Sequence, residues 1–297
     1  MSRLEVPATP HPENQAVTAR NVTWPAVGAV AWREIVRFFR QRNRVVGAVA
    51  TPLVFWLLLG VGLNDVFHVP PGGTEAPEAA ASSVVRGGEP RGYLAYFFPG
   101  MVVMVLLFTS IFSTITVIDD RNNGFLQGVL ASPATRWAVV LGNVLGGAAI
   151  ATLQGLLLLP IWYVFFAGAP TTPPEIAGLL LAVAVMFVMS VGLTAMGLFF
   201  AWPMDSTAGY HAVMNLVQFP MWFLCGAVFP LATAGVLKWV MYANPLTYGY
   251  ASLARALGAG DPAGTGLPLW ATLAILLAAT AAALALTTRR ATQRSRS

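Results

Sequence analysis

The sequence predicts an all-α integral membrane protein with six transmembrane helices, an N-terminal amphipathic interfacial helix, a short cytoplasmic helix and an external re-entrant hairpin. Three observations predict it. Of 297 residues, 57% are hydrophobic and only 10% are charged, against about 45–50% and about 25% in an ordinary soluble domain. Apolar runs long enough to cross a bilayer recur six times. The cationic residues gather between alternate runs.

The elements follow in chain order. Residues 1–23 are polar and proline-bearing, with Arg3, Glu5, His11, Glu13 and Arg20; they lack the apolar core of a secretory signal and read as a disordered cytoplasmic N-terminus. Residues 24–44 read as an amphipathic helix. At about 100° per residue, Arg33, Arg37, Arg40 and Arg44 form one stripe, and Trp24, Val27, Ala31, Ile35, Phe38 and Phe39 gather opposite. Such a helix is expected along the interface, apolar face in lipid, as an anchor or as a mechanical linker into the first span.

The six-span domain occupies residues 45–287, with runs at about Val45 to Leu63, Leu94 to Ile118, Trp137 to Ala167, Ile176 to Ala201, His211 to Phe229 and Leu267 to Thr287. The third run exceeds a perpendicular crossing and contains Pro160, so it is expected to tilt, kink or begin below the membrane surface. Asn64 to Gly92 is rich in Pro, Gly, Ala and Glu and reads as a flexible external loop. Asp119 to Arg136 reads as a loop holding a short helix, with Asp119 or Asp120 capping its start, Phe125, Leu126, Val129 and Leu130 on one face, and Pro133 stopping it. That apolar face must be covered by lipid headgroups or by another protein. Leu231 to Gly266 reads as two short helices broken at Asn244-Pro245, re-entering from outside. Residues 288–297 form a basic tail.

Arginine placement sets the direction. The segments before the first span, between the second and third, and after the sixth hold 13 of the 17 Lys and Arg residues, so both termini are expected in the cytoplasm of a cell-membrane protein. The net charge of +5 is spread over juxtamembrane positions and matches lipid headgroups, not nucleic acid. The single cysteine, Cys225, excludes an internal disulfide scaffold.

The missing chemistry is as informative. The spans contain no Asp, Glu, Lys or Arg, which argues against an ion-coupled carrier or passive channel and, for want of a base, against a membrane-embedded transferase. The one lysine, Lys238, lies between Leu237 and Trp239, so no phosphate-binding G-x-x-x-x-G-K-[ST] loop exists. His11, His68 and His211 are too scattered for a metal site. Span amides such as Asn143, Gln154, Asn215 and Gln218 read as helix-to-helix hydrogen bonders, and Gly142 with Gly146 as a close-approach pair.

Three stretches carry a resemblance. Asp120-Arg121-Asn122-Asn123-Gly124-Phe125-Leu126, followed by Leu130-Ala131-Ser132-Pro133, Arg136 and Val140-Leu141-Gly142, resembles the segment after the second span of ABC-2-type permeases, the membrane subunits of ATP-binding-cassette exporters. Phe223 to Leu231, with Asn244-Pro245-Leu246-Thr247-Tyr248 and Arg255, is similar to that family's fifth-span end and re-entrant segment. Tyr93 to Gly100, with Phe-Phe-Pro-Gly, adds a third match. The family often has an acidic residue before the loop glycine, where this chain has Asn122 and Asn123.

The resemblance implies a permease without a catalytic site, working as a homodimer with two copies of a separate ATPase that holds the ATP and Mg. The short cytoplasmic helix becomes the coupling helix, with Asp120, Arg121, Gly124, Phe125, Leu126, Leu130, Ser132, Pro133 and Arg136 as ATPase-coupling residues. Arg33, Arg37 and Arg40 of the interfacial helix would make a second contact with it. Asn244, Pro245, Tyr248 and Arg255 mark the re-entrant segment. Phe97, Phe98, Met101, Asn215 and Gln218 are nominated for the pathway of a lipophilic drug, a lipid-linked oligosaccharide or a similar substrate.

Overall fold

A computed structural model describes residues 12–62, 93–124, 128, 135–168, 170–231 and 234–293, with side chains from Trp24 onward except Arg44. Asn64 to Gly92, expected as an external loop, lies outside them. The described helices are α1 (Pro12–Arg40), α2 (Arg42–Gly62), α3 (Tyr93–Asn122), α4 (Arg136–Trp162), α5 (Pro173–Ala201), α6 (Thr207–Trp222), α7 (Lys238–Ala243), α8 (Pro245–Ala256) and α9 (Leu269–Gln293). No strand occurs among the described residues.

Five stretches are long and apolar enough to cross a membrane: Val45–Gly62, Tyr93–Asn122, Arg136–Ala167, Pro173–Ala201 and Leu269–Gln293. The run at His211 to Phe229 differs. It forms the 16-residue α6, about 24 Å long at 1.5 Å per residue, followed by a π-helical turn at Phe223–Ala227 in which Gly226 adopts φ 93°. The same break ends α4, where Tyr163–Ala167 is π-helical. In both cases a proline, Pro160 or Pro220, stands three residues earlier. Its missing N–H and the clash of its ring with the carbonyl four residues back push the ladder into a wider turn.

Burial identifies the centre of the fold. Of the most apolar window of α3, 89% is buried, against 11% for α9. Around α3 pack α2, α4, α5 and α6; α9 covers α5, and α8 fills the gap between α5 and α9. Tryptophans fasten the packing by donating indole N–H groups to backbone carbonyls: Trp56 to Leu94 at 2.9 Å, Trp222 to Gly100 at 2.8 Å and Trp162 to Leu257 at 3.1 Å. Each donation satisfies a group that lipid could not.

Several expectations need correction. The helix α1 starts at Pro12, inside the segment read as disordered, and breaks at Gln41 rather than running to residue 44. Asp119 and Asp120 do not cap a loop helix; they belong to the last turns of α3. The tail read from residue 288 is still helical to Gln293. The two short helices split at Asn244-Pro245 are present, but α8 is enclosed by protein, with Leu246 to Ala254 all buried. Part of the expected apolar face of α1 lies on α4: Val27 and Ala31, with Val30 and Glu34, sit over Gly142 and Gly146, whereas Trp24 and Phe39 of that face are exposed. A Cβ on Gly146 would stand 2.9 Å from the Ala31 carbonyl oxygen, and one on Gly142 would stand 2.7 Å from Val30 Cβ. The small-residue pair therefore admits α1 rather than a membrane helix.

Gly146→Leu is expected to force α1 off α4 and to destabilise the protein by about 1–3 kcal/mol. The check is a lowered thermal unfolding midpoint of the purified protein in detergent, with Gly28→Leu on the open face of α1 as the control that leaves it unchanged.

Candidate functional site: the C-terminal foot of α3

The last turns of α3 carry Thr116, Asp119, Asp120 and Arg121 in succession. Helical spacing puts Thr116 and Asp120, four residues apart, on one face, and α1 crosses that face. Asp120 is nearly buried, with 8% of its side chain exposed, and accepts from two guanidinium groups of α1. Arg33 Nη2 donates to both carboxylate oxygens at 2.7 and 2.6 Å, and Arg37 Nη1 donates to Oδ1 at 2.5 Å. Arg37 also stands 3.8 Å from Asp119. Charge-assisted bonds of this kind are about twice as strong as neutral ones.

Glu34, beside Arg33, points into the same junction. Its side chain is 2% exposed, accepts from the Thr116 hydroxyl at 2.7 Å and lies 3.3 Å from Arg33 Nη1. Burial raises its pKa above the ordinary 4.5, against the lowering pull of Thr116 and Arg33. Glu34 was absent from the sequence expectations. The available signal was a lone carboxylate on the apolar side of a helix otherwise rich in arginine.

Arg121 and Arg136, expected at a partner, bond within the subunit. Arg121 donates to the Trp202 carbonyl, to the Met204 carbonyl at 3.0 Å and reaches Asp205 at 3.4 Å, while Asn122 donates to the Asp205 carbonyl at 3.1 Å. These contacts close the C-terminus of α5 and the turn into α6. Arg136 reaches the Ala291 carbonyl at 3.5 Å, and Arg290 donates to the Phe199 carbonyl at 3.2 Å while lying 4.3 Å from the Phe199 ring centre. Cations at helix C-termini satisfy carbonyls that have no partner in the helix and complement the dipole. Asp119 to Arg121 thus joins α1, α3 and the α5–α6 turn at one point.

The helix α3 stops where the sequence allows a left-handed turn. Asn123 N–H donates to Asp119 and Gly124 N–H to Arg121 at 2.9 and 3.0 Å, and Gly124 takes φ 75°, a conformation open to glycine at no steric cost. Phe125, Leu126, Leu130, Ser132 and Pro133 lie outside the described residues. Gly128 between them is helical, its N–H 3.4 Å from the Gly124 carbonyl.

The remaining candidates scatter. Arg40 is exposed, away from Asp120. Asn244 caps α8 by accepting from Leu246 N–H at 3.0 Å, and it donates to the Met221 and Leu224 carbonyls at 2.5 and 3.2 Å, groups freed by the π turn. Pro245 occupies the first turn of α8, Tyr248 donates to the Tyr242 carbonyl at 2.6 Å, and Arg255 pairs with Asp261 at 2.7 Å. The five pathway candidates share no surface: Phe97, Phe98, Met101 and Gln218 are fully buried within the subunit, and Asn215 is exposed. Gln154 accepts from Thr109 and Gln218 donates to the Leu193 carbonyl at 3.3 Å, as helix-to-helix bonds, whereas Asn143 donates within its own helix to Val139. Among the described residues no three His, Cys, Asp or Glu side chains stand close enough to share a metal ion.

Comparison with known proteins matches residues 25–257 to the family described as ABC-2 type transporter. A protein of Cyanophora paradoxa named as a transport permease, ycf38, is 25% identical over 160 residues, which cover 53% of this chain and 54% of that one. Nodulation protein J of Bradyrhizobium diazoefficiens is 27% identical over 225 residues, covering 71% of this chain and 72% of that one. The match therefore spans about half the length of the first relative.

Two outcomes follow from the junction. Asp120→Asn strands two guanidinium groups against a buried amide and is expected to destabilise the protein by about 2 kcal/mol, discounted from the cost of breaking a fully buried pair because both arginines are partly exposed; Asp119→Asn is expected to change the thermal midpoint little. For Glu34, the folded state binds the proton more tightly than the unfolded chain, so its contribution to stability falls as pH rises from about 4.5 through the raised value, then levels. Thermal midpoints of wild type and Glu34→Gln across that range should diverge with rising pH in favour of the glutamine variant.

Proposed function

The chain belongs to the ABC-2 type transporter family, and on that footing we propose that it is the permease subunit of an ATP-binding-cassette exporter, driven by a separate ATPase. The observation that carries this reading is the distribution of charge. The six apolar runs read from the sequence hold no Asp, Glu, Lys or Arg with which to couple an ion gradient, while the foot of α3 concentrates Arg33, Arg37, Asp119, Asp120 and Arg121, just ahead of 125–135 in the chain. A push on that segment reaches α3 through its C-terminal turn. From there it passes to α1 through Asp120 and to the α5–α6 turn through Arg121.

In this reading Phe125, Leu126, Leu130, Ser132 and Pro133 contact the ATPase, two copies of which serve two permease chains. Arg33, Arg37, Arg121 and Arg136 act instead as internal ties, because their guanidinium groups are committed to Asp120, to Trp202 and Met204, and to Ala291. The exposed apolar side chains of α2, Val54, Leu57, Leu58 and Val61, together with Leu216 on α6, suit a contact with the second copy. Asn215 beside Leu216 is the pathway candidate kept from the sequence, since an exposed amide at membrane depth is costly against lipid and useful against a second subunit or a polar cargo group. The cargo class proposed is a lipophilic drug, a lipid-linked oligosaccharide or a similar amphiphile. In this reading both termini face the cytoplasm.

Phe125→Asp combined with Leu126→Asp is expected to abolish co-purification of the ATPase while leaving the permease inserted and its thermal midpoint unchanged. Undiminished co-purification removes the coupling assignment.

A further inference from the structure

The ends of α4 and α6 share a pattern that the charged junction does not use. Pro160-Ile161-Trp162 closes α4 and Tyr163-Val164 opens the π-helical turn Tyr163–Ala167. Pro220-Met221-Trp222 closes α6 and Phe223-Leu224 opens the turn Phe223–Ala227. Each time a proline, an apolar residue and a tryptophan are followed by an aromatic ring and an aliphatic side chain. Proline breaks and π turns are where a helix bends most readily. The fold therefore has two hinges of one construction.

Both hinges rest on the Phe-Phe-Pro-Gly stretch of α3. The adjacent rings of Phe97 and Phe98 face one hinge tryptophan each: Phe97 and Trp222 have ring centres 6.1 Å apart, and Phe98 and Trp162 5.3 Å apart. Gly100 accepts the Trp222 indole N–H at 2.8 Å, and a Cβ on Gly100 would stand 2.5 Å from that of Ala227, so only glycine lets the second π turn come this close. This shared seat accounts for the burial of both phenylalanines.

The helix α8 reaches from one hinge to the other. Leu257, which caps its C-terminus, accepts the indole N–H of Trp162 at 3.1 Å. Asn244, which caps its N-terminus, donates to the Met221 and Leu224 carbonyls at the second hinge. Between these caps lie 12 residues, about 18 Å of helix, flanked by α5 and α9. A helix held at both ends and supported along its sides delivers a displacement at one end to the other. We propose that α8 is a strut that couples the two hinges, so that the π turns of α4 and α6 loosen and tighten together.

The chain carries its own reporter. Cys225, its one cysteine, is fully buried in the second π turn, so the rate at which N-ethylmaleimide modifies it measures the opening of that hinge. The full-length protein is labelled in detergent without an ATPase and followed by intact mass spectrometry, which makes the result independent of the exporter reading. Trp162→Phe keeps a ring beside Phe98 and removes the bond to Leu257 at the first hinge. It is expected to raise the Cys225 rate about fivefold, the shift in population that one hydrogen bond supports. Pro160→Ala restores the missing N–H in α4 and should lower the rate. Thr287→Val removes a buried bond to the Ala195 carbonyl at the other end of α9 and should match wild type. In an Asn244→Ala background, where the strut is detached from the second hinge, Trp162→Phe should add nothing further. A wild-type rate in Trp162→Phe, a rate not lowered by Pro160→Ala, equal acceleration by Thr287→Val, or a Trp162→Phe effect that persists beside Asn244→Ala overturns the proposal.

Discussion

The constraint that organises this molecule is that hydrocarbon tolerates no unpaired charge and no unsatisfied backbone group. The apolar spans obey the first part by omission and the helix ends obey the second by borrowing side chains. Arg33, Arg37, Arg121, Arg136 and Arg290 are placed on a carboxylate or on the carbonyls that end a helix. Charge near the helix ends is thereby used to tie helices together. Asp120 is the focus of that arrangement, because it is the buried acceptor for two arginines from a different helix.

The geometry gives the α3 foot mechanical meaning. The helix α3 is the most enclosed element of the fold, so a displacement at its end cannot be absorbed by lipid and has to be shared with its neighbours. It has polar ties at that end to α1 and to the α5–α6 turn, and its far end is fastened to α2 and α6 by the indoles of Trp56 and Trp222. By contrast, α6 is short, broken by a π turn and open on the side of Asn215 and Leu216.

Much of this was legible in the residues, for identifiable reasons. The long runs follow from hydropathy alone, and Asn244-Pro245 marked a true helix start because an amide cap and a first-turn proline are both local signals. Gly142 and Gly146 correctly signalled close approach, but their partner was α1, which no spacing rule could name. The arginine stripe of α1 was visible, yet its direction was misread: Arg33 and Arg37 face α3 because Asp120 lies inside that helix, and the chain's hydropathy placed the end of the span at Ile118, too early by a full turn. Phe97, Phe98 and Met101 are buried within this subunit, where α2, α4, α5 and α6 enclose α3, an enclosure that no spacing in the sequence reports. The shortening of α6 depends on how Pro220 disturbs the helix ladder, which a hydropathy average does not register.

The most direct test of the central claim is a charge swap across the junction, read as ATP-driven export by the permease reconstituted with its ATPase. Arg33→Asp or Asp120→Arg alone should leave the ATPase bound and hydrolysing while export is lost, and the two together should restore export. Normal export by either single variant, or no recovery in a double variant that is folded and ATPase-bound, would contradict the account.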